Sequence, residues 1–503
     1  MSLRMRVSIL FGPHDSTEAG LGRPYHNEVA ELPETYAWAC QQDITTLVSW
    51  ISALGSKPLV AIGSGGSLST ATFATTLHSR FTGGLATTLT PLESQHALTR
   101  AANAGVMLLS AAGSNRDVLS AFRHVVGAEP RHLLAICARR DSKLASLCAA
   151  HELADLYEFD HPSGKDGHLA TNSLVATACL ILRASAEACG RDLCLPDSAA
   201  ALLSLQATDW EGVIGDIAQS AAAISGKRYL LVLHGPGTRA AAWDIESKCS
   251  EAGLAAVQVC DLRNFAHGRH HWLAKHGQET GVLVLTTSDD RRLAKRTLAL
   301  LPTDVTAVER HFAQPDGVNG LAALLYSVVI TGIIGQVKSI DPGRPGVPPF
   351  GRRIYHLTGC PAKSPHGLDD EHERVAIERK IKRPTTTLTA NSLASWRLAY
   401  KKFHSRIVRT RFGSIVLDYD GTLCSPRERL ENARAEIGKE LSRLVRGGIR
   451  IGIATGRGRS ARKALQACLP EHQWKEVYIG YGLKHLANAD STSGTEVHKA
   501  VTK

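Results

Sequence analysis

Phe, Trp and Tyr together make up only 5% of the 503 residues, so the core has to be built mainly from Ala, Leu and Val. Cysteine pairing motifs are missing too: the eleven cysteines are scattered singly, with no Cys-x-x-Cys, and MSLRMRVSILFG does not read as a secretory leader. That pattern argues against a disulfide framework and a structural zinc, and the expected compartment is a reducing cytoplasm. Long apolar runs are scarce. The most apolar, Gly320 to Val337, reaches about the minimum length of a span, but Asn319, Tyr326, Gln336 and Lys338 interrupt or flank it. A buried helix is expected there, with no membrane partner. What remains is 44% hydrophobic and 21% charged, ordinary for a soluble α/β protein, and the length implies about three domains.

Strand, glycine loop and helix recur along the chain. The apolar run Pro58 to Ile62 leads into GSGGSLST and a helix marked by Phe73, Leu77 and Phe81. Backbone N–H groups at Gly63 to Ser67, with the hydroxyls of Ser64 and Ser67, would face an anion there. The loop lacks G-x-G-x-x-G spacing, which argues against a dinucleotide. VMLLS at Val106 to Ser110 repeats the device, with Ser110, Gly113, Ser114 and Asn115 in its loop; a serine-rich turn that caps a helix reads the same way. Strands at His132 to Ala138 and Ala154 to Asp160 extend the sheet. HPSGKDGHLATNS then offers Lys165, Asp166 and His168 as ligand-facing groups before a helix from Leu174 to Ala186.

After a linker and entry helix over Leu195 to Gly226, RYLLVLHGPGTRAAAWDIESK repeats strand, glycine loop and helix. Strands at Val257 to Cys260, Val282 to Thr287 and Val305 to Val308 complete a second unit, so the chain carries an internal duplication of doubly wound parallel α/β units. Asp244, Lys248 and Glu251 share one helix face at i, i+4 and i+7, and the loop NFAHG follows a short strand. The same spacing suits an exposed helix with an internal ion pair. His270, His271 and His276 crowd near His267 without a carboxylate or cysteine at ligand spacing, which favours an exposed loop over a metal site.

These residues resemble the paired sugar isomerase (SIS) domains in the isomerase half of glucosamine-6-phosphate synthases, over about residues 26 to 357. HNEVAELPETY, with Pro33 near a helix start, resembles their lead-in. Asp244, Lys248, Glu251 and His267 fall on a Glu, Lys, Glu helix and a His-Gly loop, with 16 residues between Glu251 and His267 as in that family; the first acid is Asp here. The resemblance implies Glu251 as enolisation base, His267 as the group assisting ring opening, a catalytic part for Lys248, and substrate contacts from Asp244, Lys165 and the two serine loops. It also implies a homodimer whose partner supplies the His-Gly loop, and no cofactor. Ala112 and Asn115 replace a serine and a threonine of the family's phosphate loop. After the proline-rich stretch from Asp341, which argues against a helix, Arg352 and Arg353 stand near the family's lysine; arginine stays protonated and would clamp an anion instead. No glutaminase segment is expected ahead of the pair. Isomerisation, deamination or deglycation of a sugar phosphate is therefore favoured, against a non-catalytic sensor of such a sugar.

From Arg374 to Arg411, eleven Lys or Arg face the single acid Glu378, nearly the whole of the formal net charge of +11. Trp396, Tyr400 and Phe403 recur there at helical spacing, so an amphipathic helix docked on the chain's own domains is expected ahead of nucleic-acid binding. SIVLDYDGTL and IRIGIATGRG then place Asp418, Asp420 and Thr455 at the ends of two apolar strands. They resemble the first two motifs of haloacid dehalogenase (HAD) phosphatases, implying Asp418 as nucleophile, Asp420 as proton shuttle, Thr455 as phosphoryl ligand, and Mg²⁺ held by Asp418 and Asp420. The family's later lysine and acidic pair find only isolated Lys484, Asp490, Glu496 and Lys499. A partial, inactive domain is expected, unless a downstream polypeptide completes it.

The expected fold is thus α/β: two doubly wound parallel-sheet SIS domains plus a partial HAD-like Rossmannoid α/β domain. The expected boundaries are an arm at 1–25, SIS domains at 26–200 and 201–340, a proline-rich arm and basic connector at 341–410, and the HAD-like part with a polar tail at 411–503.

Overall fold

The computed structural model describes residues 22–98, 103–128, 130–151, 154–204, 209–357, 371–424, 435–457, 459–481 and 485–488. Lys484, Asp490, Glu496 and Lys499 lie outside them, as does nearly all of the expected N-terminal arm. The chain forms two compact units, Met1–Leu393 and Ala394–Lys503.

The first unit holds two parallel sheets. One runs β1 (Leu59–Ile62), β2 (Ala86–Leu89), β3 (Gly105–Ser110), β4 (His132–Cys137) and β5 (Ala154–Glu158) in the spatial order β2-β1-β3-β4-β5. The other comprises β6 (Tyr229–His234), β7 (Ala256–Asp261), β8 (Thr280–Thr287) and β9 (Thr306–Phe312) in the order β7-β6-β8-β9. All neighbours pair parallel, so each strand's return crosses a face of its sheet, and the direction of winding reverses between β1 and β3 and between β6 and β8. A crevice at the carboxyl ends of the strands opens at such a reversal. β2 is a short strand that the sequence pattern did not reveal; in ATTL two threonines separate Ala86 from Leu89, and no residue of it is fully buried.

After Pro24 come two helices, α1 (Tyr25–Gln41) and α2 (Thr45–Leu54), separated where Asp43 Oδ1 accepts the N–H and hydroxyl of Thr45 and starts a new turn. Pro33 lies in the interior of α1 and not near its start. Proline has no N–H for the carbonyl four residues back, and that carbonyl, on Val29, instead accepts from the indole of Trp210 at 3.1 Å. Further helices that position the site are α3 (Gly66–Thr82), α4 (Arg116–Ala128), α5 (Asn172–Ala188), α6 (Trp210–Ser225), α7 (Arg239–Glu251) and α8 (Val318–Val337). Every residue of α8 from Val318 to Gly335 is buried, so this apolar helix is the shared core element expected from its interruptions by polar residues. Phe73 and Leu77 of α3, Ala241 and Ile245 of α7 and Leu325 of α8 belong to one apolar cluster, which joins the two sheets into a single packed body.

The stretch after Asp341 is not wholly extended: α9 (Pro349–Tyr355) starts on consecutive prolines, whose missing N–H groups are harmless in a first turn. The basic helix α10 (Ala390–Arg409) forms as expected. Along it Trp396 and Tyr400 are half-buried and Phe403 is 62% exposed.

In the second unit β10 (Ser414–Asp418), β11 (Arg450–Ala454) and β12 (Val477–Tyr481) pair parallel and β13 (His485–Asn488) pairs antiparallel with β12. Helices α11 (Ala435–Arg446) and α12 (Arg459–Cys468) accompany them, over a core that includes Leu441, Ile451, Ile453, Leu465 and Ile479.

Candidate functional site

A cavity of about 560 Å³ opens at the carboxyl ends of the first sheet, at the reversal between β1 and β3. Ser64, Gly65, Gly66 and Ser67 form one wall. Gly66 opens α3 and sits so close to Ala170 that a Cβ would lie 2.3 Å from that side chain, and Gly65 has a left-handed φ of 55°. The N–H of Gly63 is engaged with Leu89 and that of Ser67 with Ser64, which narrows the expected anion donors to Ser64 to Gly66.

The loop after β3 supplies Ser110, Ala112, Ser114 and Asn115 to the wall. Ser110 Oγ accepts from Gly113 N at 3.0 Å, and the Asn115 carboxamide caps α4 by accepting from Asp117 and Val118. Gly113 does not itself line the cavity. It turns the loop, with φ 59° and Ser142 Oγ only 2.3 Å from where its Cβ would be. Lys165, Asp166 and His168 line the opposite side as expected, but Asp166 is committed locally. Its carboxylate accepts the N–H groups of Thr171, Asn172 and Ser173 and both neighbouring hydroxyls, holding the start of α5.

Sequence reasoning missed Arg139, Asp160, His161 and Tyr355, all of which line the cavity. The first three stand within three residues of the carboxyl ends of β4 and β5, the place where parallel sheets bind ligands, so strand ends could have flagged them. Arg139 and Lys165 give the cavity two cations.

The second sheet contributes one group. Glu251, the last residue of α7, reaches the cavity wall, and a Cβ on Gly65 would lie 3.8 Å from its Oε1, which also accepts from Ser247 Oγ at 2.5 Å. Asp244 and Lys248 do not reach it. Lys248 Nζ donates to Asp244 Oδ2 at 2.5 Å, Ser327 Oγ donates to the same oxygen, and both charged residues are buried against α8. The helix face that the sequence suggested is thus divided: its first two charges neutralise each other inside, and only the third meets a cavity. His267 is exposed, at a kink with Gly268 at φ 93°, and is not part of the wall within one chain. Arg352 is exposed and outside the wall too; Tyr355, nearly one turn later on α9, takes the place expected for it.

The equivalent loops of the second sheet cannot cradle an anion. Where a side chain on Gly235 would stand lies the carboxylate of Asp290, 1.5 Å from the built Cβ, and this carboxylate accepts from Thr287 N at 2.8 Å. Beside it Asp289 and Asp316 both pair with Arg80. The duplication has kept the fold and filled the second crevice with acid.

Beneath the cavity floor sits Glu28, fully buried, accepting from Gly167 N at 2.5 Å. Burial and then the nearby Asp166 push its carboxyl up to about 8, so it is largely protonated at neutral pH. His161, also buried, is held below the ordinary imidazole range by the same desolvation, against the pull of Asp166.

In the second unit the parallel register sets Asp418 beside Ala454, bringing Asp418, Asp420 and Thr455 to one end of the sheet. Asp420 pairs with Arg457 at 2.5 Å, and Thr455 Oγ1 accepts from Arg457 N. Among the described residues no group of three or more His, Cys, Asp or Glu is placed to hold a metal ion. With Asp420 tied to a guanidinium, the described residues do not compose a Mg²⁺ shell, which requires near-octahedral oxygens from more than one carboxylate.

No family model matches the chain, and no curated protein matches it. Solved structures do. The C-terminal domain of glucosamine-fructose-6-phosphate aminotransferase from Francisella tularensis is similar with a TM-score of 0.50 at 12% identity, covering 65% of this chain and 99% of that one. A candidate tagatose-6-phosphate ketose/aldose isomerase from Clostridium novyi gives 0.52 at 14%, covering 67% and 93%. A candidate phosphosugar isomerase from Clostridium difficile gives 0.50 at 12%, covering 66% and 98%. At these identities the likeness establishes the fold of the part covered: a parallel-sheet α/β architecture shared with these proteins.

Proposed function

We propose that this chain binds a sugar phosphate in the crevice of the first sheet and catalyses proton transfer at the sugar's C1 and C2, as an aldose-ketose isomerase or a deaminase or deglycase of the same substrate class. The observation that carries this reading is the placement of Glu251. A carboxylate from the second half of the unit lies across a serine- and glycine-lined helix N-terminus in the first, so an anion held at Ser64 to Ser67 brings its carbon chain under a base. Arg139 and Lys165 would add charge to the phosphate end, offsetting the hydroxyls lost at Ala112 and Asn115. The structural relatives, described as acting on sugar phosphates, support the same reading.

A second reading is a phosphosugar sensor. It is favoured by the absence of His267 and Arg352 from the wall within one chain. The isomerase reading meets that observation with a homodimer in which the partner's His-Gly loop completes the site. We assign the protein to the cytoplasm, and the second unit to phosphate-ester binding without turnover.

The test is solvent exchange. In D₂O, a ketose 6-phosphate should take up deuterium at C1 in the presence of the protein, and Glu251→Gln should abolish uptake while leaving affinity within a few-fold, because the amide keeps the shape and loses the basicity. Binding without uptake selects the sensor; unchanged uptake in Glu251→Gln removes Glu251 as the base.

A further inference from the structure

His161 stands three residues beyond the carboxyl end of β5 and lines the cavity, although the residue is only 5% exposed. Its Nδ1 is sealed from solvent and has no hydrogen-bond partner, which leaves Nε2 as the nitrogen able to meet a ligand.

The charged groups facing the imidazole are Asp166 and Asp160 on its own loop and Arg23 from the segment before α1. Burial outweighs the pull of the two carboxylates, and Arg23 acts in the same direction as burial. Asp166 is engaged with the start of α5, Asp160 is exposed beside Arg140, and Arg23 is paired with Glu31 while donating to the Ser163 carbonyl. Glu28, behind Asp166, is itself largely protonated at neutral pH. The ring therefore enters the cavity neutral, able to accept a proton and return it.

Resting on the phosphosugar reading, we propose that His161 touches the bound sugar and carries the proton for its ring opening, from the same chain that supplies Glu251 and the serine loops. In the tautomer with the proton on Nδ1, Nε2 accepts the proton of the anomeric hydroxyl. The electron pair of that O–H bond becomes the second bond of the carbonyl, the bond from the anomeric carbon to the ring oxygen breaks with its pair on that oxygen, and the oxygen takes the proton back from Nε2. The imidazole ends as it began. Glu251 is left for the carbon acid.

The full-length protein, labelled with ¹³C at histidine Cε1, separates the possibilities, the His161 signal being assigned by its loss in His161→Asn. With fructose 6-phosphate and tagatose 6-phosphate as probes, the His161 signal should shift on binding. Deuterium uptake in His161→Ala should fall roughly 10²-fold in kcat with KM little changed, and added imidazole should restore part of it. The acidic limb of the kcat profile should vanish in the variant. A merely structural histidine would give no imidazole rescue. If the wild-type protein binds either sugar and the His161 signal stays still, or a folded His161→Ala keeps its kcat, the inference is overturned while the phosphosugar reading stands. Binding with no uptake by the wild type removes the proton-transfer role in favour of a sensor. If neither sugar nor inorganic phosphate binds the wild type, the phosphosugar reading itself falls, and this inference with it.

Discussion

Lys248 and Asp244 form a closed ion pair, Nζ to Oδ2 at 2.5 Å, with 3% and 0% of their side chains exposed, directly below the turn from which Glu251 enters the cavity. The pair supports the helix that aims the base. One oxygen of Asp244 still lacks a partner, so the carboxylate depends on Lys248 and Ser327 for its compensation.

Lys248→Ala should therefore act on stability before it acts on chemistry. Leaving Asp244 buried and unpaired is expected to cost roughly 3–5 kcal/mol, read as a lowered urea midpoint. A variant of unchanged midpoint that has lost deuterium uptake would return Lys248 to the reacting groups.

The homodimer predicts complementation. Glu251→Gln and His267→Ala should each be inactive alone, and co-refolded together should recover about a quarter of the wild-type activity, because half the dimers mix and each of these holds one intact site. No recovery, in a mixture shown to exchange subunits, would place both residues in one chain's site or remove His267 from it.

Glu28 gives a pH signature. Its carboxyl is raised in the folded state to about 8 from an ordinary value of 4.5, so between those values the folded protein binds a proton that the unfolded chain has released. Stability should fall as pH rises through that window, by up to about 1.4 kcal/mol per unit from this group, and level off above it. Glu28→Gln should flatten the slope of the urea midpoint between pH 5 and 8. An equal slope in both proteins would show that Glu28 ionises normally inside.

The second unit should release no phosphate from p-nitrophenyl phosphate in the presence of Mg²⁺, and Asp418→Asn should change nothing, since Asp420 is held by Arg457 and no third acid joins them among the described residues. Turnover that Asp418→Asn abolishes would mean the metal site is completed by residues beyond those described.

Much of this protein was legible in its sequence. Apolar runs specified eight of the nine strands of the first unit closely enough to place both serine loops, because a parallel strand inside a sheet is covered on both faces and is apolar along most of its length. The same logic read α8 as core. Local rules also marked Asp418 and Thr455 as strand-end neighbours.

Tertiary structure decided which polar groups face a ligand. Spacing put Asp244, Lys248 and Glu251 on one helix face, but only the crossing of α8 beneath that helix buried the first two and left the third open. Asp290 fills the second crevice, Asp166 caps α5, and Arg139, His161 and Tyr355 converge on the first crevice from elements far apart in the chain. A side chain's periodicity fixes its direction from its own backbone; whether it meets solvent, a cavity or another charge depends on what packs opposite, and that is set by contacts between distant segments.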